Sequence, residues 1–297
     1  MRITIVTPTL NRRAMLAEAL ASVAAQQHDD VEHIVVDGGS ADGTLEMLAG
    51  HPGVRVLQDR RRGLYDAMNQ GIEAASGAVI GLLNSDDLYA PEIFAAVEAA
   101  FAAHPDVDAV CGTAELFDET GTIQRYDDVA DLRLDAHAAL IGACIPNARF
   151  FRRRVFDEAG TFPTDYRFVA DRAFLARTLI AGIRTQPLSV LAYRYRQHGG
   201  SLTFAERADK ADAFRTELLR LARTVAAEPL APRPLQAKAR ALEGRCLAQL
   251  AVNRLRAGDV MGAARLALPD TGQPPLSALR AIAAGLRDRR RPNRDGA

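Results

Sequence analysis

The stretch Ala78-Val79-Ile80-Gly81-Leu82-Leu83-Asn84-Ser85-Asp86-Asp87 decides the fold. Six residues without a charge are followed at once by four polar ones. A short apolar run of this kind reads as a strand buried on both faces. Similar runs occur at 3–6, before Thr7-Pro8-Thr9, and at 33–36, before Asp37-Gly38-Gly39-Ser40; a further strand is expected at 54–57. Helical patterns lie between them. Met15, Leu16, Ala19, Leu20 and Val23 recur at helical spacing behind Asn11, which is expected to cap that helix. Asp42-Gly43-Thr44 leads into a helix through about Ala49, 64–75 is helical, and Pro91 opens another helix. Strand–helix alternation with buried strands predicts an α/β fold with a mostly parallel sheet. Polar residues gather after three strand ends, at 7–11, 37–42 and 84–87. Open α/β sheets bind their ligands at that edge.

The second part of the chain is more mixed. A strand is expected at 107–111 and a hairpin at 115–117 and 122–126, around Glu119-Thr120-Gly121. A helix follows at 171–181 and a strand at 188–195. After about Thr203 the strand signals cease. Helical patterns at 205–227 and 235–257 are separated by Pro229, Pro232 and Pro234, and Arg256-Ala257-Gly258-Asp259 is a helix stop and restart. The expected organisation is one α/β domain over 1–203 and an α-helical appendage over 204–297. The tail at 286–297 holds five arginines against two aspartates and is expected to be disordered at its end.

Composition narrows the classes. The chain has 297 residues, 37 basic and 37 acidic, for a net charge of zero. A nucleic-acid binder of this size would show a basic excess, so no nucleic-acid partner is expected. Cys111, Cys144 and Cys246 are widely spaced, which excludes a zinc ribbon or a disulfide scaffold. No run approaches the roughly 18 apolar residues of a membrane helix. The N-terminus enters a strand directly rather than a signal peptide. The expectation is a cytoplasmic protein, with peripheral contact at the inner face of the membrane left open.

Five constellations can carry chemistry. Asp37-Gly38-Gly39-Ser40 puts a carboxylate at a strand end beside glycines, which suits a base or ribose as well as ordinary capping. It is neither a dinucleotide fingerprint nor a P-loop. Adjacent carboxylates at Asp86 and Asp87 repel unless a cation or solvent intervenes, and Mg²⁺ typically takes one or two carboxylates plus substrate phosphates. The alternative is a solvated loop with Asp87 capping the next helix. Asp66 and Asn69 share a helical face behind Arg60-Arg61-Arg62, arginines that could meet phosphate or remain solvated. Asp171 stands where it could cap a helix or act as a general base. Tyr193-Arg194-Tyr195-Arg196-Gln197-His198 supplies cations and a His for a diphosphate.

Taken in order, these segments resemble the family 2 glycosyltransferases of the GT-A fold. The matching stretches are Thr7-Pro8-Thr9-Leu10-Asn11-Arg12, Val36-Asp37-Gly38-Gly39-Ser40-Ala41-Asp42-Gly43-Thr44, Gly63-Leu64-Tyr65-Asp66-Ala67-Met68-Asn69-Gln70-Gly71-Ile72, Leu83-Asn84-Ser85-Asp86-Asp87, Ala170-Asp171 and His198-Gly199-Gly200-Ser201. The resemblance covers roughly residues 1–203 and points to a subgroup common in bacterial polysaccharide and glycolipid assembly. It implies inverting, metal-dependent transfer of a hexosyl or related sugar from a nucleotide-diphospho-sugar to a hydroxyl of a glycan or glycolipid acceptor. Thr7, Pro8, Thr9, Asn11, Arg12, Asp37, Gly38, Gly39, Asp66, Asn69, Asn84, Ser85, Asp86 and His198 would line the nucleotide-sugar site. Asp86 and Asp87 would hold Mg²⁺ or Mn²⁺; Asn84 stands at the first position of the usual Asp-x-Asp-Asp motif, which leaves the direct ligand open between them, with Asp87 favoured. Asp171 would be the catalytic base, although Ala170 stands where many relatives have Glu. The other reading is a non-catalytic nucleotide-sugar binder on the same fold. A dehalogenase-type phosphatase would place its paired aspartates after the first strand, where Thr7-Pro8-Thr9 stands instead.

Overall fold

The computed structural model describes residues 1–60, 62–128, 132–142, 146–199 and 208–267. The chain divides into two compact units, Met1–Ala205 and Glu206–Ala297. The tail and the residues around the Thr203 boundary, together with Cys144, Gly200 and Ser201, lie outside the described residues.

The first unit is built on one sheet. Strand β1 (Ile3–Thr9) runs parallel to β2 (Val31–Asp37) on one side and to β4 (Val79–Leu82) on the other, and β3 (Val54–Gln58) runs parallel to β2 at the edge. Every residue of β1 is buried, as a central strand covered on both faces must be. Beyond β4 the sheet turns mixed. There β8 (Arg149–Arg152) pairs antiparallel with β4 and with β6 (Ala109–Asp118), and β9 (Thr185–Arg196) runs parallel to β6. Strand β5 (Leu88–Tyr89) pairs with β9, and β7 (Gly121–Tyr126) hangs from β6 as a hairpin. The order is β3-β2-β1-β4-β8-β6-β9-β5.

Helix α1 (Arg13–Ala24) buries Leu16, Ala19, Leu20 and Val23, one stripe at helical spacing. Its start differs from the expectation. Asn11 sits at φ 51°, its N–H donates to Ser40 Oγ at 2.8 Å, and its Oδ1 accepts from the Ala41 N–H at 2.8 Å. The Arg13 N–H is capped by Asp42 Oδ2 at 3.0 Å, a residue of the next loop. Asp42 Oδ1 also accepts from the Thr44 N–H at the head of α2 (Thr44–Ala49), so one carboxylate serves two helix N-termini. Helix α3 (Leu64–Ala74) lies close on β1 because Gly71 has no side chain. A Cβ there would meet Val6 Cγ1 at 2.2 Å.

Helix α4 (Ile93–Ala103) begins two residues beyond Pro91, which stands in the preceding turn rather than in the first helical position. The later part holds α5 (Ala136–Leu140), α6 (Arg154–Ala159) and α7 (Ala170–Ile180). The alternation of β8 joins two aromatic groups. Phe150 stacks with Tyr89 on one face, with Phe94 and Tyr193 nearby, and Phe151 meets Phe156 and Phe174 on the other. Phe174 also packs on Phe162 with ring centroids 4.6 Å apart, which fixes α7. The strands expected at 107–111 and 115–117 are one continuous strand, β6.

The second unit pairs α8 (Ala208–Ala227) with α9 (Arg233–Arg256), and α10 (Val260–Ala267) packs on α9. Leu219, Leu221, Ala222 and Val225 of α8 and Leu235, Ala239, Leu242 and Cys246 of α9 are buried. Pro234 stands in the first turn of α9, where its missing N–H costs no intrahelical bond. Among the described residues, no helix is long and apolar enough to cross a membrane.

Candidate active site

Parallel register lines up the polar ends of the first three strands. Thr9 stands opposite Asp37, and Asp37 opposite Gln58. The Gly38 N–H donates to the Thr9 carbonyl at 2.8 Å, which ties the β2 loop to the end of β1. Asp37 is buried and closes its own turn. Its Oδ1 accepts from the N–H groups of Gly39 and Ser40, both at 2.9 Å, and its Oδ2 accepts from Ser40 Oγ at 2.6 Å. Gly39 takes φ 90° to make that turn, a conformation open to glycine.

The Thr7-Pro8-Thr9 segment divides. Thr7 is fully buried and its Oγ1 pairs with His33 Nε2 at 2.9 Å, inside the sheet. Pro8 is buried too. Thr9 Oγ1 is buried and has no hydrogen-bond partner among the described residues, and the same holds for Asp66 Oδ2 in the first turn of α3. Buried polar oxygens without partners are rare, and each invites a ligand or a water. Asn69, on the same face as Asp66, is engaged otherwise. Its Nδ2 donates to the Phe162 carbonyl at 2.7 Å and its Oδ1 accepts from the Phe162 N–H at 2.9 Å. The structure thus gives Asn69 the work of holding the loop before α7.

After β4 the two aspartates part company. Asp87 is fully buried, accepting at Oδ2 from Tyr193 Oη at 2.7 Å and Asn84 Nδ2 at 3.0 Å, and at Oδ1 from the Arg196 N–H at 2.8 Å. Burial first, and the charge of Asp86 second, push its carboxyl up to about 7. Asp87 does not cap α4. Asp86 is more open. Its Oδ2 lies 3.2 Å from Arg12 Nη1 and 3.0 Å from His198 Nε2, which are themselves 3.0 Å apart. Ser85, just before Asp86, is buried, and Asn84 Oδ1 has no partner among the described residues.

This arrangement bears on a divalent ion. Both oxygens of Asp87 accept hydrogen bonds from protein donors, whereas Asp86 is the more open of the two carboxylates. The Asp86 carboxylate is an oxygen ligand of the kind that Mg²⁺ or Mn²⁺ takes. Among the described residues no group of three or more His, Cys, Asp or Glu side chains is placed to hold a metal, so phosphate oxygens would have to complete the shell.

The expected cations sort themselves by partner. Arg194 Nε pairs with the buried Glu115 at 2.6 Å, and Arg60 Nη2 pairs with Glu73 at 2.7 Å. Arg196 reaches Glu18 through Nη2 at 2.6 Å and the Asp86 carbonyl through Nε at 3.0 Å. Arg12 and His198 are the expected cations found at the Asp86 carboxylate.

Asp171 is the second residue of α7, not its cap; Val169 holds the cap position and gives no side-chain bond. Its Oδ1 accepts from the Arg172 N–H at 2.8 Å. Burial raises its carboxyl above the ordinary aspartate value, and the Arg172 charge opposes that rise. The chain brings Asp86, Arg12 and His198 into contact, while Asp171 stands apart on its own helix. The residue missed from sequence is Asn147, whose Nδ2 donates to Tyr193 Oη at 2.9 Å. No local motif marks it.

The curled, mostly parallel sheet with its polar groups gathered along one carboxyl edge is a GT-A-like α/β fold. The family model described as glycosyl transferase family 2 matches residues 4–160, and the chain belongs to that family. It is a glycosyltransferase. A PGL/p-HBAD biosynthesis glycosyltransferase of Mycobacterium bovis is 34% identical over 203 residues, covering 66% of this chain and 77% of the relative. Among solved structures, Staphylococcus aureus TarS in complex with UDP-GlcNAc aligns over 96% of this chain and 80% of its own, with TM-score 0.64 and 19% identity. The mannosyltransferase PcManGT of Pyrobaculum calidifontis, in complex with GDP-Man and Mn²⁺, covers 96% and 79%, with TM-score 0.61 and 20% identity.

Proposed function

We propose that this chain carries out inverting transfer of a hexosyl or related sugar from a nucleotide-diphospho-sugar to a hydroxyl of a glycolipid or glycan, aided by Mg²⁺ or Mn²⁺. The observation that carries the reading is the contact of Asp86 with Arg12 and His198, residues 74 and 112 positions away along the chain that meet at one strand end. A carboxylate flanked by cations is suited to an ion and a diphosphate together. The name of the mycobacterial relative supports a glycolipid or related glycan product, and the metal in the PcManGT complex supports a divalent ion. Residues 1–203 are the proposed catalytic domain and 204–297 an appendage, acting in the cytoplasm or at the inner membrane face.

In this mechanism Thr9, Asp37 and Asp66 hold the nucleoside, and Arg12 and His198 offset the charge of the leaving diphosphate. Asp86 would hold a divalent ion, which would supply further charge neutralisation at that leaving group. Asp171 accepts the proton of the acceptor hydroxyl as its oxygen attacks the anomeric carbon and the diphosphate departs from the opposite side. One displacement of this kind inverts the configuration. Burial suits Asp171 to the task, because a raised carboxyl is a stronger base.

Thermal melting with a nucleoside diphosphate tests the reading. Ligand at 100 times its dissociation constant adds about 2.7 kcal/mol of stability. Stabilisation is expected with Mn²⁺ and is expected to disappear with EDTA or in Asp86→Asn. Equal stabilisation with and without EDTA would remove the metal from the scheme.

A further inference from the structure

We propose that Asp59 and Asp66 read the base of the donor and select guanine, so that this chain uses a GDP-sugar in preference to a UDP-sugar. The proposal rests on the nucleotide-sugar reading above and adds the identity of the base. Asp59 follows β3 directly, and its N–H donates to the Asp37 carbonyl at 2.8 Å, which places it at the edge where Thr9 and Asp37 end their strands. Asp66 lies in the first turn of α3, the helix that packs on β1 and β2.

The loop after β3 is clipped to that helix. Gln70 Nε2 donates to the Gln58 carbonyl at 2.7 Å, Gln70 Oε1 accepts from the Arg60 N–H at 3.3 Å, and Arg60 Nη2 bonds Glu73 at 2.7 Å. Residues 58–60 are thus held by two side chains of α3, and Asp59 and Asp66 keep a fixed relation. The Arg60 guanidinium feels both carboxylates. The Glu73 hydrogen bond and charge raise its pKa most, and the charges of Asp66 and Asp59 add to that.

Asp59 Oδ1 and Asp66 Oδ2 are buried, and among the described residues neither has a hydrogen-bond partner. Asp66 is 8% exposed and Thr9 is 6% exposed. Asp37, the other carboxylate at this edge, already accepts three hydrogen bonds from its own turn. The edge therefore offers two unused carboxylate oxygens and needs N–H donors from a ligand. Guanine presents N1–H and the N2 amino group side by side, three N–H bonds on one edge. Uracil presents a single N3–H between two carbonyl oxygens, which carboxylates repel. The fold does not decide between them, since the solved neighbours include complexes with UDP-GlcNAc and with GDP-Man.

The test is calorimetric titration of the full chain, with Mn²⁺ present, using GDP, IDP and UDP. IDP keeps N1–H and lacks only the N2 amino group. GDP is expected to bind at least about tenfold more tightly than UDP, with IDP between, because unpaired buried acceptors reject the ligand that leaves them unpaired. Asp59→Asn and Asp66→Asn keep the side-chain shape but turn an NH₂ or a weaker acceptor toward the base. Either is expected to shrink the GDP-to-UDP ratio by about tenfold, mostly through loss of GDP affinity. UDP binding as tightly as GDP, or an unchanged ratio in both variants, overturns the base assignment while leaving the nucleotide site intact. Binding of none of the three by folded protein overturns the nucleotide-sugar reading, and this proposal with it.

Discussion

The two halves of the sheet serve the site in different ways. On the β3-β2-β1-β4 side, functional groups sit at the ends of their own strands and are fixed by neighbours in sequence. Asp37 is closed by Gly39 and Ser40, and Asp42 by Thr44. On the β8-β6-β9-β5 side, the groups reach across the sheet. Tyr193, the Arg196 N–H and His198 meet Asp87 and Asp86 from 106, 109 and 112 positions away. The first half is a rack closed within single turns or between neighbouring loops, as the bonds of Asp42 to Arg13 and of Ser40 to Asn11 show. The second half latches onto it and exists only when the whole sheet has closed. Nucleotide affinity should therefore depend mainly on the first half, and completion of the transfer machinery on the second.

The largest test of that division is Asp171→Asn. Removing a general base typically costs about 10²–10⁴ in rate. Transfer is expected to fall by that much, with nucleoside diphosphate affinity within about twofold of the parent. The acid limb of transfer against pH is expected above the ordinary aspartate value of 3.8, because burial raises the Asp171 carboxyl and only the ionised form accepts a proton. The stability sign is opposite to that of a paired carboxylate. A raised folded-state pKa means stability falls as pH climbs from 3.8 through the raised value, so ionised Asp171 weakens the fold at neutral pH. Asparagine is neutral throughout and is expected to melt no lower than the parent. Near-normal turnover with a lowered melting temperature would return Asp171 to a purely structural place in its helix.

A second test compares one hydroxyl–carboxylate bond from each half. Tyr193 Oη donates to Asp87 and accepts from Asn147 Nδ2 and, at 3.2 Å, from the Asn84 N–H. Tyr193→Phe leaves two donors and a buried carboxylate short of a partner, an expected loss of about 2–3 kcal/mol in urea unfolding. Ser40→Ala removes the matching bond to Asp37, which retains two backbone donors, together with the acceptor of the exposed Asn11 N–H, and should cost no more than about 1 kcal/mol. Equal losses would mean that the second half is no more of a latch than the first.

The same difference decided what could be read from the sequence. The four parallel strands announced themselves because each is a local apolar run with its polar loop attached. The glycosyltransferase resemblance rests on those loops together with Gly63–Ile72, Ala170-Asp171 and His198–Ser201, taken in order. The latch was harder. Strand β5 has two residues, Leu88–Tyr89, too few for any periodicity. Strand β8, Arg-Phe-Phe-Arg, buries a phenylalanine on each face and carries arginine at both ends, so neither alternation nor a long apolar run marks it. The paired aspartates were visible, but not which one is enclosed. That depends on Tyr193 and Arg196, and no spacing rule links positions 87 and 193. Asn11 does not cap α1, and the capping alternative for Asp171 falls away, for a smaller reason. Each stands within a residue or two of a helix start, and the Asp42 bond that caps α1 comes from another loop.

The smaller expected effect on transfer concerns Asn69, which belongs to the first half by position and to the second by its bonds. Its amide spans 93 positions to hold both polar groups of the Phe162 backbone, and Phe162 packs on Phe174 of the Asp171 helix. Family resemblance puts this side chain on the nucleotide; its bonds to Phe162 fit a strut beneath α7. Asn69→Ala would strand the buried Phe162 N–H and carbonyl at an expected cost of about 1–2 kcal/mol. If Asn69 is a strut, nucleoside diphosphate affinity moves less than about twofold, and transfer falls modestly as Asp171 loses its footing. A nucleotide contact would show the reverse pattern, with affinity lost about tenfold and the melting temperature almost unchanged. Calorimetric titration beside urea unfolding of the same variant separates the two. The strut result would show that the boundary between rack and latch is set by hydrogen bonds across the sheet and not by position along the chain.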